Sequence, residues 1–521
     1  VSHPVRTPAT RAERLVLVVA LLLSAALAWP LRGYLTDDTF IHLQYARHVA
    51  EGQGFVFNPG EPVYGSTSPL WVMLLAQAIA VGLDGVLAGK VLGAVALLAS
   101  VALWWALARR TLGSPWLRAL GTLAWATHAW MLRWSLSGME TPLAVALVLG
   151  GLVLFTATEP WGERAGPVSL LWALAALARP ECLILLALWG AFTLVDHGPV
   201  AGLRRVLRGM WPGLLVQGAW LVFARWHFGA LWPNTLAAKV AGGGGPEYQL
   251  EQAMRQVAVI GATDGWAVAL LALAGLLGAI RRSVPGVRAT VRFTPWAWVV
   301  AVPVLYAVRG VPVLSRYLVP LLPVLAWLAW RVLDRALGPR AERPEDPALR
   351  HRRLLLIGCC AALLAFTQSA YTYTRLVLPQ VRSFSSGLEG SLVRWGRWFG
   401  EHTPPDAVVA APDIGAIGYY SQRRVVDLAG LVTPEMVPVL RELPPEVAVA
   451  RFAFARFSRP DYLVDRAPVA WDLQRRSPWA AALVPLGADS VPNLGVARPG
   501  TAVYSVYRID WTAYDSLSTS R

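Results

Sequence analysis

Lysine is almost missing from this chain: of 47 basic residues, only Lys90 and Lys239 are lysines. The bias toward Arg, Ala, Gly and Pro fits a GC-rich genome, so an arginine by itself carries little functional weight. Cysteine is as scarce, with Cys182, Cys359 and Cys360 all inside apolar runs. They form no C-x-x-C pair and no Cys/His metal spacing. That argues against a disulfide scaffold or a zinc site, and the three read as small apolar packers. Charge is thin too. Charged residues make up 15% of the chain, against roughly 25% in soluble domains, which excludes an ordinary soluble protein.

What is present instead is 55% hydrophobic residues and 25 tryptophans. Long apolar runs recur up to about residue 375, and the composition turns ordinary after them. The reading is a polytopic α-helical membrane domain over 1–376, followed by a soluble α/β domain over 377–521. A net charge of +15 invites a nucleic-acid partner. The arginines, however, cluster in short loops between apolar runs, where membrane orientation requires them, so no nucleic acid is expected.

About eleven spans are expected: 15–29, 86–108, 119–136, 141–158, 168–177, 182–195, 211–226, 266–280, 295–308, 318–330 and 354–374. The run 70–81 is too short for an ordinary span and is expected along the outer surface, and 250–260 reads as a surface helix. The first apolar run competes with a signal peptide; an uncleaved span with its N-terminus inside is preferred, because it orients everything that follows. Predicted inner loops then hold roughly 20 basic residues and outer loops roughly 10, as the positive-inside bias demands.

That topology collects Asp37, Asp38, Asn58, Glu61, Glu140, Arg179, Glu181, Asn234, Lys239 and Arg316 on one outer face, although none was used to set it. The centre of this set is the first outer loop, 31–69, with its Asp37-Asp38 pair where the chain leaves the membrane. Carboxylates at a bilayer boundary are costly unless they face water or do work. Thr39 to Ala50 reads as a helix carrying Asp38 and His42 at i, i+4 on one face, ended by Gly52 and Gly54. The bland alternative is a solvated loop whose acids cap a short helix.

Sugar transfer from a lipid phosphate is a chemistry that needs these groups. A carboxylate takes the acceptor hydroxyl's proton, and a cation neutralises the departing phosphate. Asp38 is the first candidate for base, with Asp37 orienting the acceptor or raising its neighbour's pKa. Lys239, Arg316 and Arg179 are phosphate candidates, against snorkelling cations at span ends. His42, Asn58, Glu61, Glu140, Asn234 and Asp413 are candidates for substrate contacts. For Glu140 the alternative is a helix N-terminal acid, and for Asp413 a strand-end turn. Two adjacent acids are also a place for a divalent cation, though no further ligand is marked. In the soluble domain strands are expected at 407–411, 425–428, 462–465 and 502–508, with a Gly415–Gly418 turn too weak to read as a phosphate loop.

The segments DDTFIHLQYARHVAEGQGFVFNPGE, SGMETPL, ARPE, LWPNTLAAK, SRYLVP and DIGAIGYYSQRRVVDLAG, in that order, resemble bacterial GT-C membrane glycosyltransferases. The likeness is nearest to the mycobacterial terminal arabinofuranosyltransferases; protein O-mannosyltransferases and lipid A aminoarabinose transferases are more distant. The resemblance implies an acid of the first outer loop as catalytic base, Asp37 or Asp38, a polyprenyl-phosphate sugar donor and inversion at the anomeric carbon. It implies a cell-envelope glycan, lipid or protein acceptor, and a multi-pass protein of the bacterial plasma membrane with its C-terminal domain outside. His42, Gln44 and Gly65-Ser66-Thr67-Ser68 depart from the family pattern, which bears on the sugar and not on the reaction class. The rivals are a transporter or flippase of lipid-linked saccharides, whose ionisable groups sit at mid-bilayer on broken helices, and a polymer ligase.

Overall fold

The computed structural model describes residues 8–156, 164–234, 245–276, 289–337, 347–492 and 500–519. The chain is a multi-pass helical membrane protein joined to an α/β sheet domain. Among the described residues, five helices are long and apolar enough to cross a bilayer: Arg11–Leu31, Gly85–Thr111, Pro180–His197, Pro246–Ala274 and Leu355–His402. The pair Pro199–Gly209 and Trp211–Phe228, bent by 76°, makes a sixth if it is one span. Shorter apolar helices, Pro69–Ala80, Thr141–Phe155, Ala165–Ala178 and Phe293–Val308, fall where spans or a surface helix were expected.

Two segments differ from the sequence reading. The expected surface helix 250–260 and span 266–280 are one helix, Pro246–Leu276, broken only at Asp264 (φ −120°). The cause is polar: the buried Asp264 carboxylate lies 2.8 Å from His128 Nε2 and accepts from Thr263 Oγ1 at 2.6 Å. The expected span 119–136 is two helices, Pro115–Ala126 and Ala129–Ser135, because His128 is extended and its ring accepts from the Met131 N–H as an N-cap. The arginines Arg204, Arg205 and Arg208 ride on the amphipathic helix Pro199–Gly209, whose Val200, Leu203 and Leu207 are exposed.

The last long helix does not stop at the bilayer. It runs to His402 through two π-turns, Thr372–Val377 and Glu389–Val393, and its far end packs on the C-terminal sheet. That sheet has strands β1 (Val408–Ala411), β2 (Arg424–Asp427), β3 (Tyr462–Ala467), β4 (Leu483–Val491) and β5 (Ala502–Ile509), in the order β2-β1-β3-β5-β4. β1 is parallel to β2 and β3, while β5 is antiparallel to β3 and β4. β4 was not expected. It is an edge strand with Pro485, a register shift before Gly487 and a mostly solvated face, so alternation is lost.

One face of the sheet, with Val409, Ala411, Val425, Val464 and Val506, closes a core with Phe40, Tyr45, Phe55 and Phe57 of the loop 31–69. The loop is thus a packed layer between membrane helices and sheet. Helix Pro69–Ala80 lies beneath it, burying Trp71, Val72 and Leu75 in the same core.

Candidate active site

Helix Asp37–Ala50 begins at an extended Thr36, whose N–H donates to Thr39 Oγ1 at 3.3 Å. Asp37 and Asp38 occupy its first turn, where the helix dipole favours negative charge. It ends at Glu51, after which Gly52 (φ +77°) reverses the chain.

Toward the membrane helices, Asp38 pairs with Arg316 of the short helix Ser315–Leu318. The Asp38 side chain is 41% exposed and that of Arg316 only 6%, so the carboxylate stands at the mouth of a buried cation. One turn on, His42 Nε2 lies 3.4 Å from Glu140 Oε2, and Nδ1 lies 3.5 Å from Ser66 Oγ. Glu140 Oε1 accepts from Arg179 Nη1 at 2.8 Å, and Arg179 Nε donates to Glu181 Oε1 at 2.7 Å. The Arg179 and Arg316 guanidinium groups share the Tyr317 ring, at 4.8 Å and 5.3 Å. Burial opposes ionisation of Glu140, yet His42 and Arg179 hold its carboxyl well below the usual range.

The S-G-M-E segment reaches this network because it is clamped to the same helix. Thr39 Oγ1 donates to Ser137 O at 2.7 Å, and Trp71 Nε1 donates to Gly138 O at 3.0 Å. Gly138 has φ +74°, and a Cβ there would come within 2.5 Å of Thr39, so only glycine fits. Five sequence-expected residues thus converge: Asp38, Arg316, His42, Glu140 and Arg179.

Toward the soluble domain, Asp37 serves a different end. Its Oδ2 accepts from Gly415 N and its Oδ1 from Ala416 N, both at 2.8 Å. A helix, Gly415–Ser421, stands where a Gly-rich turn was expected; its first two amides are spent on Asp37, and a Cβ at Gly415 would sit 1.9 Å from the Asp37 carbonyl oxygen. Burial, with the nearby Asp413 charge, pushes Asp37 up to about 7. Asp413 accepts from Arg466 Nη1 at 2.7 Å and from Tyr504 Oη at 2.7 Å.

Asn58 and Glu61 are engaged at the β2 edge. Asn58 donates to Val425 O at 2.9 Å and accepts from Val425 N at 3.0 Å, while Glu61 pairs with Arg424 at 2.7 Å. Asn234 donates its backbone N–H to Tyr64 O at 2.9 Å, and Lys239 lies outside the described residues. No group of three or more His, Cys, Asp or Glu able to hold a metal occurs among the described residues. Each oxygen of Asp37 accepts one backbone amide.

The sequence reading did not name Tyr317 or Ser66 as site residues, nor Arg133. Arg133 is buried at 6% exposure in an otherwise apolar stretch, and that placement was itself the available signal.

A model for a domain family of unknown function, DUF8728, matches residues 380–507. The chain is 31% identical over 232 residues to a terminal β-(1→2)-arabinofuranosyltransferase of Mycobacterium tuberculosis. That match covers 41% of this chain and 36% of the relative, so it spans about a third of the relative's length. Solved structures resemble the whole chain. ArnT from Cupriavidus metallidurans bound to undecaprenyl phosphate matches with a TM-score of 0.50 at 14% identity, over 96% of this chain and 98% of that one. The archaeal oligosaccharyltransferase AglB from Archaeoglobus fulgidus, in complex with an inhibitory peptide and a dolichol-phosphate, gives 0.56 at 14% identity over 87% and 69%. Arabinofuranosyltransferase AftD from Mycobacteria gives 0.54 at 16% identity over 96% and 40%. The chain has the GT-C membrane glycosyltransferase fold.

Proposed function

We propose that this protein is a GT-C glycosyltransferase that moves a sugar from a polyprenyl-phosphate donor to a hydroxyl of a cell-envelope acceptor, with Asp38 as general base. The observation that carries the reading is the half-exposed Asp38 carboxylate paired with the buried Arg316, above the His42–Glu140–Arg179 network. Asp38 takes the acceptor hydroxyl's proton as its oxygen bonds to the anomeric carbon. The bond from that carbon to the phosphate oxygen breaks, and polyprenyl phosphate leaves with the electron pair. Attack opposite the leaving group inverts the anomeric centre. Arg316 orients Asp38 and places positive charge where the phosphate gains negative charge. His42 and Glu140 line the sugar side. Likeness to arabinofuranosyltransferases favours a pentofuranosyl donor.

Two orientation features belong to the same proposal: a cytoplasmic N-terminus, and a first outer loop on the same extracytoplasmic side as the sheet domain. Packing of that loop against the sheet supports the second.

The test is transfer from a panel of polyprenyl-phosphate sugars by purified protein. Asp38→Asn keeps shape and hydrogen bonding but cannot accept the proton, and should lose about two to four orders of magnitude in turnover while still binding donor. Near-normal turnover would remove Asp38 from the chemistry.

A further inference from the structure

The two phosphate candidates that are described are already neutralised by carboxylates, Arg316 by Asp38 and Arg179 by Glu140 and Glu181. A third buried guanidinium is not. Arg133, on helix Ala129–Ser135, pairs with no acid among the described residues. Its Nη1 donates to Gln380 Oε1, its Nη2 donates to Tyr34 Oη at 3.2 Å, and its Nε is buried without a partner. The rings of Tyr34, Trp130 and Trp134 stand 5.4, 5.9 and 5.4 Å from its central carbon.

A guanidinium stays protonated at any working pH. Taking it out of water without a counter-charge is among the costliest things a fold can do, and aromatic faces and neutral acceptors recover only part of the loss. Such a group is poised for an anion. Its place narrows the choice. Tyr34 follows the first candidate span, which ends at Leu31, and Gln380 lies on the last long helix just past the expected span 354–374. These two segments meet beside the cage, where Tyr373 Oη donates to Leu27 O at 2.6 Å. On the other side, Arg316 shares the Trp134 ring at 5.7 Å, and its Nε is likewise buried and unpartnered. The cage therefore lies at a membrane boundary and shares a ring with the Asp38 partner.

We propose that Arg133, acting across Trp134 from Arg316, binds the phosphodiester of the lipid donor and the phosphate monoester of the lipid product. The inference rests on the proposed function and adds the residue that supplies the uncommitted charge. Gln380 and Tyr34 hold the guanidinium plane, and the anion takes the remaining Nε edge.

The test is binding of undecaprenyl phosphate to the full chain in phosphatidylcholine nanodiscs, read by thermal shift and titration. Arg133→Gln removes charge but keeps hydrogen bonding, and should weaken binding about tenfold or more, whereas Arg133→Lys, which keeps the charge but loses the planar Nε edge, should fall between the two. Gln380→Leu frees one edge of the guanidinium without touching the charge, and should weaken binding less than Arg133→Gln does. Millimolar inorganic phosphate should not compete. Equal binding by Arg133→Gln and the parent overturns the assignment. So does a Gln380→Leu loss as large as that of Arg133→Gln, which would make the residue a structural tie. Competition by inorganic phosphate would reassign the site to a free anion. If Arg133→Gln fails to insert, Arg133→Lys carries the test: weakened binding by a folded Lys variant supports the site, and binding equal to the parent's counts against the Nε edge. A parent that binds no polyprenyl phosphate sinks the proposed function itself, a result separate from any variant's.

Discussion

Helix Asp37–Ala50 handles charge in opposite ways on its two faces. Facing the membrane helices, acids meet guanidinium cations: Asp38 with Arg316, and Glu140 with Arg179, beside the His42 ring. Facing the sheet domain, charges lean on backbone dipoles: Asp37 takes two helix N-terminal amides, and Arg47, 4.0 Å from Glu51, donates from Nη1 to Tyr419 O at 3.0 Å above the Tyr419 ring. Ion pairs can be rearranged by an incoming charged substrate, because a phosphate or developing oxyanion competes for the same partners. Backbone caps offer no such exchange. The first face is suited to chemistry and the second to docking, although the residues that divide them are adjacent in sequence.

The comparison is broken most directly by exchanging the two acids' fates. Asp38→Asn should cost about two to four orders of magnitude in turnover, and Asp37→Asn far less, since its amide oxygen still accepts one N–H. Equal losses would erase the distinction between the faces. Next in size is Glu140→Gln. Glu140 is 1% exposed, and breaking a buried pair from one side costs about 3–5 kcal/mol. Thermal unfolding in detergent should show that loss, and Glu140→Gln combined with Arg179→Met should recover part of it because the orphaned cation goes too. No recovery would mean that Arg179 is balanced by Glu181 alone. On the docking face, Gly415→Ala drives a methyl into the Asp37 carbonyl, an overpacking worth about 1–3 kcal/mol. It should raise proteolysis between the domains while donor binding persists. Unchanged proteolysis would deny that this turn is the latch.

How much of this was legible follows from how far apart the partners lie. Asp38 and His42 share a face by spacing alone, and composition and arginine placement gave a helical membrane domain followed by an α/β domain. The partners of Asn58 and Glu61, Val425 and Arg424, are 367 and 363 positions away, beyond the reach of local spacing. The Gly415–Gly418 turn looked weak for the same reason: its steric demand comes from Asp37. The span count is another case. Apolar runs do not reveal where a buried Asp264 or His128 breaks a helix, and β4 hides behind its proline and its solvated face.

The smallest effect expected is also the sharpest on the docking face, and it concerns pH. Burial pushes Asp37 from an ordinary 3.8 up to about 7, with Asp413 adding to the push and the two backbone amides opposing it. An acid whose pKa is higher when docked binds a proton more tightly there than when the domains part. Between about pH 4 and 7 the docked form is protonated and the parted form is not, so docking weakens as pH rises through this window and levels off above it. Amide protection of Gly415–Ser421, corrected for intrinsic exchange, should therefore be higher at pH 5 than at pH 8. Asp37→Asn, which cannot titrate, should flatten the curve. Protection that rises with pH instead would mean that the amides outweigh burial and Asp37 docks as a carboxylate. In that case the two faces would differ only in the kind of partner their charges meet, since both would then hold ionised acids.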